Sequence, residues 1–326
     1  MSPPISTRLT LGEALAGWPP PVMNPAGFFA GSISTLSWVL FAMAGVVLLV
    51  VFAALGLALF GPRRLQRRLG GERLIWIGGV AFPVVVLTAL LVYGLSLTSR
   101  LTQEPTGDEL RVRVTGEMWW WRVAYLDAAG REVVRDANEV HIPAGRPVVF
   151  EVTSADVIHS FWVPRLAGKI DMIPGRVNLI RMQADAPGAF GGQCAEYCGA
   201  AHALMGLVVV AHEPADFDSW LASRRAPPPP PVDLLALQGA QVFGASGCGA
   251  CHAVAGTAAN GLAGPDLTRV GARRSLGAGI LPNNRGTLAG WVANSQEIKP
   301  GNRMPNYSVL SGPELVSLSA YLESLK

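Results

Sequence analysis

Charge is what this chain has least of. Only 15% of its 326 residues are Asp, Glu, Lys or Arg, while 50% are hydrophobic. That balance is too apolar for an ordinary soluble protein, and the net charge of +3 adds little. The shortage is local. Ser34 to Phe60 carries no charge, nor does Leu74 to Ser99, and each run exceeds the roughly 20 residues that cross a bilayer core of about 30 Å. Both read as transmembrane helices, with Pro83 expected to kink the second by removing a backbone hydrogen bond. No cleavable signal peptide is expected, because the first apolar run is too long for a signal h-region. Five arginines crowd residues 61–73, a basic run that elsewhere suggests nucleic acid. Between two spans it reads as topology instead. The positive-inside rule puts this loop in the cytoplasm and residues 1–33, with everything after Arg100, outside. The length implies two or three folded units.

Sulfur is also scarce. The chain has four cysteines, and the pattern around them leaves none for a structural disulfide. Cys194-Ala195-Glu196-Tyr197-Cys198-Gly199-Ala200-Ala201-His202-Ala203-Leu204-Met205 gathers two thiols, an imidazole and a thioether, the soft set that copper prefers. A single blue copper takes one thiolate, so a second cysteine four residues on points to two thiolates bridging two metal ions. A disulfide or a structural zinc are the alternatives. Neither explains Met205, and zinc favours tight Cys and His pairs. A second imidazole is needed, and His159 in Asp156-Val157-Ile158-His159-Ser160-Phe161-Trp162 is the candidate. A lone histidine in an apolar strand is otherwise a core residue.

Together these two segments resemble the dicopper CuA domain of subunit II of haem–copper cytochrome c oxidases. The resemblance implies that His159, Cys194, Cys198, His202 and Met205 are side-chain ligands and that Glu196 offers its backbone carbonyl. It further implies that the Glu196 carboxylate reaches a magnesium or manganese ion at the border with subunit I. From Leu110 to His212 the pattern is of short alternating strands: Leu110, Val112 and Val114 alternate with polar neighbours, as do Val148 and Phe150 after a turn at Pro143–Arg146, which suggests an antiparallel β-sandwich over residues 106–222. The resemblance narrows this to a cupredoxin-like fold. Trp119-Trp120-Trp121 reads as strand, with alternate rings on opposite faces. By resemblance Trp119 is the electron-entry residue, and packing alone is the other reading. Lys169, Asp171 and Arg176 match a family segment facing subunit I. Relatives carry a glutamate three residues before a tryptophan of the second helix; here Arg73 holds that position and Glu72 precedes it, so neither is taken as a site.

Ala226-Pro227-Pro228-Pro229-Pro230-Pro231 breaks the composition. Consecutive prolines form a semi-rigid spacer, so residues 223–233 read as a linker and 234–326 as a separate domain. That domain holds Cys248-Gly249-Ala250-Cys251-His252, the c-type haem attachment pattern: two thiols for thioethers and an adjacent histidine for iron. A redox Cys-x-x-Cys is the alternative, without the βαβ context it needs. Met304, far downstream, is the expected sixth ligand, and Gly264-Pro265-Asp266-Leu267 resembles the loop that packs near the proximal histidine. Ser311 and Glu314 form a capping box, followed by Leu315, Leu318, Leu322 and Leu325 at helical spacing. The segment resembles an all-α class I cytochrome c.

The combination of transmembrane hairpin, CuA sandwich, proline spacer and cytochrome resembles subunit II of oxidases with a fused cytochrome. It implies electron flow from a soluble or membrane cytochrome c-type donor to haem c, then to CuA, then to subunit I, where oxygen becomes water and protons are pumped. Subunits I and III and membrane lipid are the implied partners, with no nucleic acid, in a bacterial inner membrane with both redox domains on the periplasmic side. No residue here is expected to act as acid, base or nucleophile. Two other readings stay open: the electron-entry subunit of a CuA-type nitric oxide reductase, and a membrane-tethered electron carrier with no fixed catalytic partner. A quinol oxidase subunit is excluded, since that relative lacks the copper ligands.

Overall fold

A computed structural model describes residues 20–103, 106–107 and 109–326. The expected N-terminal segment 1–33 therefore lies outside the described residues up to 19. Residues 31–104 form one unit and the remainder another.

In the first unit, α1 (Phe28–Phe60) runs through the first charge-free stretch. The arginine-rich connection forms a short helix, α2 (Arg63–Leu69). A second long helical stretch, Glu72–Leu101, is apolar enough to cross a membrane, as is α1. It begins as α3 (Glu72–Trp76), widens into a π-turn at Ile77–Ala81 and continues as α4 (Phe82–Leu101). The expected irregularity at Pro83 thus takes the form of a wide turn just before it. A proline ring clashes with the carbonyl four residues back, and a π-turn relieves that clash within a continuous helix.

The second unit holds the sandwich and the cytochrome-like domain. Its ten principal strands are β1 (Leu110–Glu117), β2 (Trp120–Leu126), β3 (Glu132–Ala137), β4 (Glu139–Pro143), β5 (Val148–Ser154), β6 (His159–Trp162), β7 (Ile170–Met172), β8 (Asn178–Met182), β9 (Gly188–Cys194) and β10 (Gly206–His212). One sheet has the order β3-β2-β1-β5-β8 and the other β4-β10-β9-β6-β7. Val112, Val114, Val148 and Phe150 are fully buried between them, as the alternation requires. The sandwich is mixed rather than wholly antiparallel, because β1 pairs with β5 and β4 with β10 in parallel. Parallel neighbours arise where the chain crosses between sheets before returning. Asn138, at φ 63°, makes one such crossing between β3 and β4. Its side chain accepts from Trp121 N–H at 2.9 Å and its own N–H donates to Trp121 O at 2.9 Å, a local bonding that lets asparagine hold the left-handed region.

The segment before α1 is pinned to the sandwich: Ala26 N–H donates to Arg165 O at 2.8 Å, and Asp185 N–H to Ala26 O at 2.9 Å. A Cβ at Gly27 would sit 1.8 Å from Gln183 O, so only glycine fits there.

After β10, α5 (Pro214–Arg224) leads into the prolines. The cytochrome-like domain contains α6 (Leu234–Ala245), α7 (Arg285–Ile298) and α8 (Gly312–Ser324). The capping box forms, with Ser311 N–H donating to Glu314 Oε2 at 2.8 Å. Leu318, Leu322 and Leu325 enter an apolar cluster with Phe243, Val254, Leu288 and Tyr321, and Leu315 packs at its edge. α6 and α8 touch so closely that a Cβ at Gly239 would lie 1.9 Å from Ser317 O.

The proline stretch does not stand free. Arg269 Nη2 donates to Ser223 O at 2.9 Å and Ala226 O at 2.8 Å, laying the linker along the cytochrome-like domain. Beyond this linker that domain is folded back onto the sandwich. Arg273 Nε donates to Asp136 Oδ1 at 2.8 Å, Arg274 N–H to Glu139 Oε2 at 2.9 Å, Arg122 Nη2 to Leu262 O at 2.7 Å and Gly206 N–H to Ala278 O at 2.9 Å.

Candidate metal and haem centres

The loop after β9 and the start of β6 bring the six expected copper-site residues together. Cys194 Sγ lies 3.7 Å from Cys198 Sγ and 3.8 Å from His159 Nδ1. Cys198 Sγ lies 3.4 Å from His202 Nδ1 and 3.9 Å from Met205 Sδ, and Cys194 Sγ is 3.2 Å from Glu196 O. Local bonding fixes the loop: Cys194 N–H donates to Met205 O, closing its two ends, and Ala195 N–H donates to Ser160 O, both at 3.0 Å. Both thiols, His159 and Met205 are buried. His159, Cys194 and Cys198 present donor atoms close enough to hold a metal ion.

The electrostatics suit a cation. The two thiols are coupled by their mutual contact: the hydrogen bond with Cys198 draws the Cys194 pKa down against the opposing effect of burial, and the same contact pushes Cys198 up. A metal takes both sulfurs as thiolates, so its binding would displace the thiol protons. Burial opposes protonation of His159, but its bonds to Cys194 and Asp156 outweigh that and raise its pKa.

Asp156 is a functional residue that the sequence pattern contained without showing its role. Its Oδ1 lies 2.8 Å from His159 Nε2, and its Oδ2 accepts from Met118 N–H at 2.8 Å. The carboxylate fixes the ring so that Nδ1 faces the sulfurs, the orienting contact that metal-binding histidines commonly have. A Cβ at Gly116 would lie 2.8 Å from the same ring.

Trp119 is not on a strand. β1 ends at Glu117 and β2 begins at Trp120, so Trp119 occupies the tight link between them. Strand alternation holds for the next two rings: Trp121 is wholly buried, and Trp120 lies under the Arg122 guanidinium at 4.8 Å. Trp119 is 7% exposed and donates from Nε1 to Cys198 O at 2.9 Å. Its other edge meets the cytochrome-like domain, where a Cβ at Gly301 would be 3.4 Å from Cη2.

In that domain a 3₁₀ turn, Cys248–Ala250, carries the attachment motif, and His252 N–H donates to Cys248 O at 3.0 Å. His252 Nδ1 is 2.7 Å from Pro265 O. A carbonyl only accepts, so Nδ1 is the protonated nitrogen and Nε2 keeps its lone pair. Burial lowers the His252 pKa, favouring the neutral ring. The Gly264–Leu267 loop packs where expected, since a Cβ at Gly264 would be 2.6 Å from His252 Cε1. Cys248 and Met304 pack against the same apolar cluster. Met304 is held through its carbonyl, which accepts from Ser295 Oγ at 2.8 Å and Gln296 Nε2 at 2.7 Å. Cys248 and Met304 at one apolar cluster, with the His252 ring held against Pro265 O, fit a covalently attached haem, while Cys251 is exposed and outside that cluster.

The comparisons match both domains. Residues 123–212 match the family model for the periplasmic domain of cytochrome c oxidase subunit II, and residues 236–326 match that for cytochrome c. Cytochrome c oxidase subunit 2 of Alkalihalophilus pseudofirmus is 36% identical over 300 residues, covering 89% of this chain and 85% of the relative. The chain belongs to the cytochrome c oxidase subunit II family. The corresponding Bacillus subtilis protein is 29% identical, covering 82% and 78%. The solved periplasmic domain of subunit II from Bradyrhizobium japonicum is 33% identical, covers 38% of this chain and 97% of its own, and superposes with a TM-score of 0.34.

Family membership settles the choice among the three readings. This is the electron-entry subunit of an oxidoreductase complex, carrying its own cytochrome c domain, with subunit I as partner. It is a membrane protein with a periplasmic domain. The subunit II domain implies a CuA centre and the cytochrome c domain implies haem.

Proposed function

We propose that His159, Cys194, Cys198, His202, Met205 and the Glu196 carbonyl hold the dinuclear copper, and that Cys248, Cys251, His252 and Met304 hold the haem. When bound, these groups supply outer-sphere electron transfer from a cytochrome c-type donor toward subunit I. The observation that carries the reading is the convergence of two sulfurs 3.7 Å apart with imidazole nitrogens on either side.

The protein's own part is to hold donor atoms in place and exclude water. Asp156 orients His159, while the β9–β10 closure fixes both cysteines. Trp119 is the electron-entry residue: its ring bridges the Cys198 loop and the loop that ends at Met304. The Glu196 carboxylate, with its side chain 46% exposed and 3.9 Å from Lys169 Nζ, faces outward to offer an oxygen to a magnesium or manganese ion shared with subunit I. One carboxylate from each of two chains, completed by water, is an ordinary magnesium site. Residues 31–104 anchor the chain in the lipid of the bacterial inner membrane, beside subunits I and III, and residues 234–326 act as the haem domain.

Metal and haem analysis of the purified complex tests this. Two coppers per haem c are expected from this chain, in addition to the copper of the haem–copper centre in subunit I, with oxygen consumption and no nitric oxide reduction. Trp119→Phe is expected to slow electron arrival at copper after flash reduction of haem, with the copper absorption unchanged; equal rates return Trp119 to packing.

A further inference from the structure

Lys299 has no part in either donor set, yet it is among the most deeply buried charges in the protein, 2% exposed. It lies between α7 and the Met304 loop, and its side chain leaves its own domain. Nζ donates to Trp119 O at 2.6 Å, Leu204 O at 2.8 Å and Gly277 O at 2.9 Å. The first carbonyl belongs to the link that carries the entry tryptophan. The second belongs to the copper loop, one residue before Met205. The third belongs to the cytochrome domain itself.

Three acceptors require three N–H bonds, so the bound species is the ammonium, although burial draws its pKa down to about 7. An ion moved out of water is retained only where such partners compensate it. The acceptors are built for the purpose. Gly277, Ala278 and Gly279 hold φ of 65°, 66° and 88°, a run of left-handed residues costly for the alanine. This winding aims Gly277 O at Lys299 and Ala278 O at Gly206 N–H. Two residues beyond Lys299, Gly301 makes the close approach to the Trp119 ring. Further along, Arg303 Nη2 reaches Asp156 Oδ2 at 3.5 Å, the carboxylate that orients His159.

We propose that Lys299 is a positioning residue for electron transfer between the domains: its ammonium clamps the Met304-bearing loop onto Trp119 and the copper loop. The proposal rests on the assignment of haem and copper above. The clamp matters because transfer falls steeply with separation, and a domain on a proline tether would otherwise sample many orientations. Lys299→Met keeps the length and apolar bulk of the stem and removes the donor from all three carbonyls at once.

The test uses the full complex with Lys299→Met and Lys299→Gln. Three readings are taken: haem and copper content, exchange of the Gly206 amide that bonds across the interface, and the rate from flash-reduced haem to copper. In Lys299→Met the contents and spectra are expected at parental values. Gly206 is expected to exchange at least about tenfold faster, the change that loss of a charge-assisted hydrogen bond gives. Internal transfer is expected to slow by a similar factor and to become dependent on solvent viscosity, because redocking then gates it. A residue that only stabilised its domain would not confer viscosity dependence. Lys299→Gln, with two N–H donors and no charge, is expected between the two.

Parental exchange and a parental, viscosity-independent rate in Lys299→Met overturn the proposal. If the methionine form loses haem or copper, the glutamine form decides. Loss of cofactor from both makes Lys299 a folding residue and also overturns it. If the parent itself carries neither cofactor, the assignment of the sites fails, and the Gly206 exchange arm still decides the clamp.

Discussion

Asp136 and Arg273 form an ion pair between the two redox domains, with side chains only 7% and 6% exposed. Asp136→Asn keeps the shape and removes the charge. Arg273 Nε then faces a neutral amide, with no other carboxylate at salt-bridge distance among the described residues. Breaking a buried pair by neutralising one partner costs about 3–5 kcal/mol, since the other charge stays desolvated. At about 1.4 kcal/mol per factor of ten, that is roughly a hundredfold to a few thousandfold. Most of the cost should fall on docking, because separation of the domains rehydrates Arg273. The loss therefore cannot exceed the docking free energy itself.

The amides of Gly206 and Arg274 both donate across this interface, so their exchange reports separation without needing either cofactor. Exchange at both is expected to rise by about a hundredfold or more in Asp136→Asn. Replacing both partners, as Asp136→Leu with Arg273→Met, removes the charge along with its desolvation. That chain is expected to exchange within about tenfold of the parent, because apolar replacement of a buried pair is often neutral. Unchanged exchange in the single variant, or a double variant as fast as the single, refutes the reasoning.

Gly239→Ala places a methyl 1.9 Å from a backbone oxygen of α8. A cost near the upper end of overpacking, about 3 kcal/mol, is expected as a fall of more than about 10 °C in haem-domain melting; Gly244→Ala, which meets nothing within 4 Å, should raise it. Met304→Ala is expected to keep the haem covalently attached and lower its reduction potential, read by loss of the weak red-edge band of iron–methionine bonding. His212, whose pKa is lowered to about 4 by burial and by the neighbouring His141, binds a proton more readily unfolded than folded. Its contribution to stability is complete above pH 6.5 and is lost as pH falls toward 4, so His212→Gln should flatten the fall in melting temperature over that window.

The chemistry was legible because it is local. Cys194 to Met205 and Cys248 to His252 each gather sulfur and nitrogen donors within a dozen residues, while the ligand roles, with His159 and Met304 far outside these windows, rested on resemblance to known families. The membrane helices and the Ser311 cap are equally local. Trp119 misled because its link, Met118-Trp119, has neither the Asn-Gly nor the Gly-x signature of a tight hairpin. The parallel strand pairs depend on crossovers that no window contains. The docked face was illegible for the same reason: Asp136 and Arg273 are 137 residues apart, and Lys299 and Trp119 are 180 apart. A lone lysine between Ile298 and Pro300 reads as an ordinary surface charge. Five consecutive prolines argued for separation, whereas Arg269 and its carbonyl partners draw the linker against the domain.

The central claim is that two thiolates hold the copper centre through which haem-derived electrons leave this chain. Cys198→Ser in the intact complex tests it most directly, because a hydroxyl is too hard to replace a bridging thiolate. Copper content, near-infrared absorption and flash-induced reduction are followed together. The expected result is loss of two coppers per complex, with the copper of subunit I kept, and loss of the near-infrared absorption, with covalent haem retained and still reduced by the external donor, and with electrons stalled there. Full copper content and onward transfer in the serine variant would contradict the account.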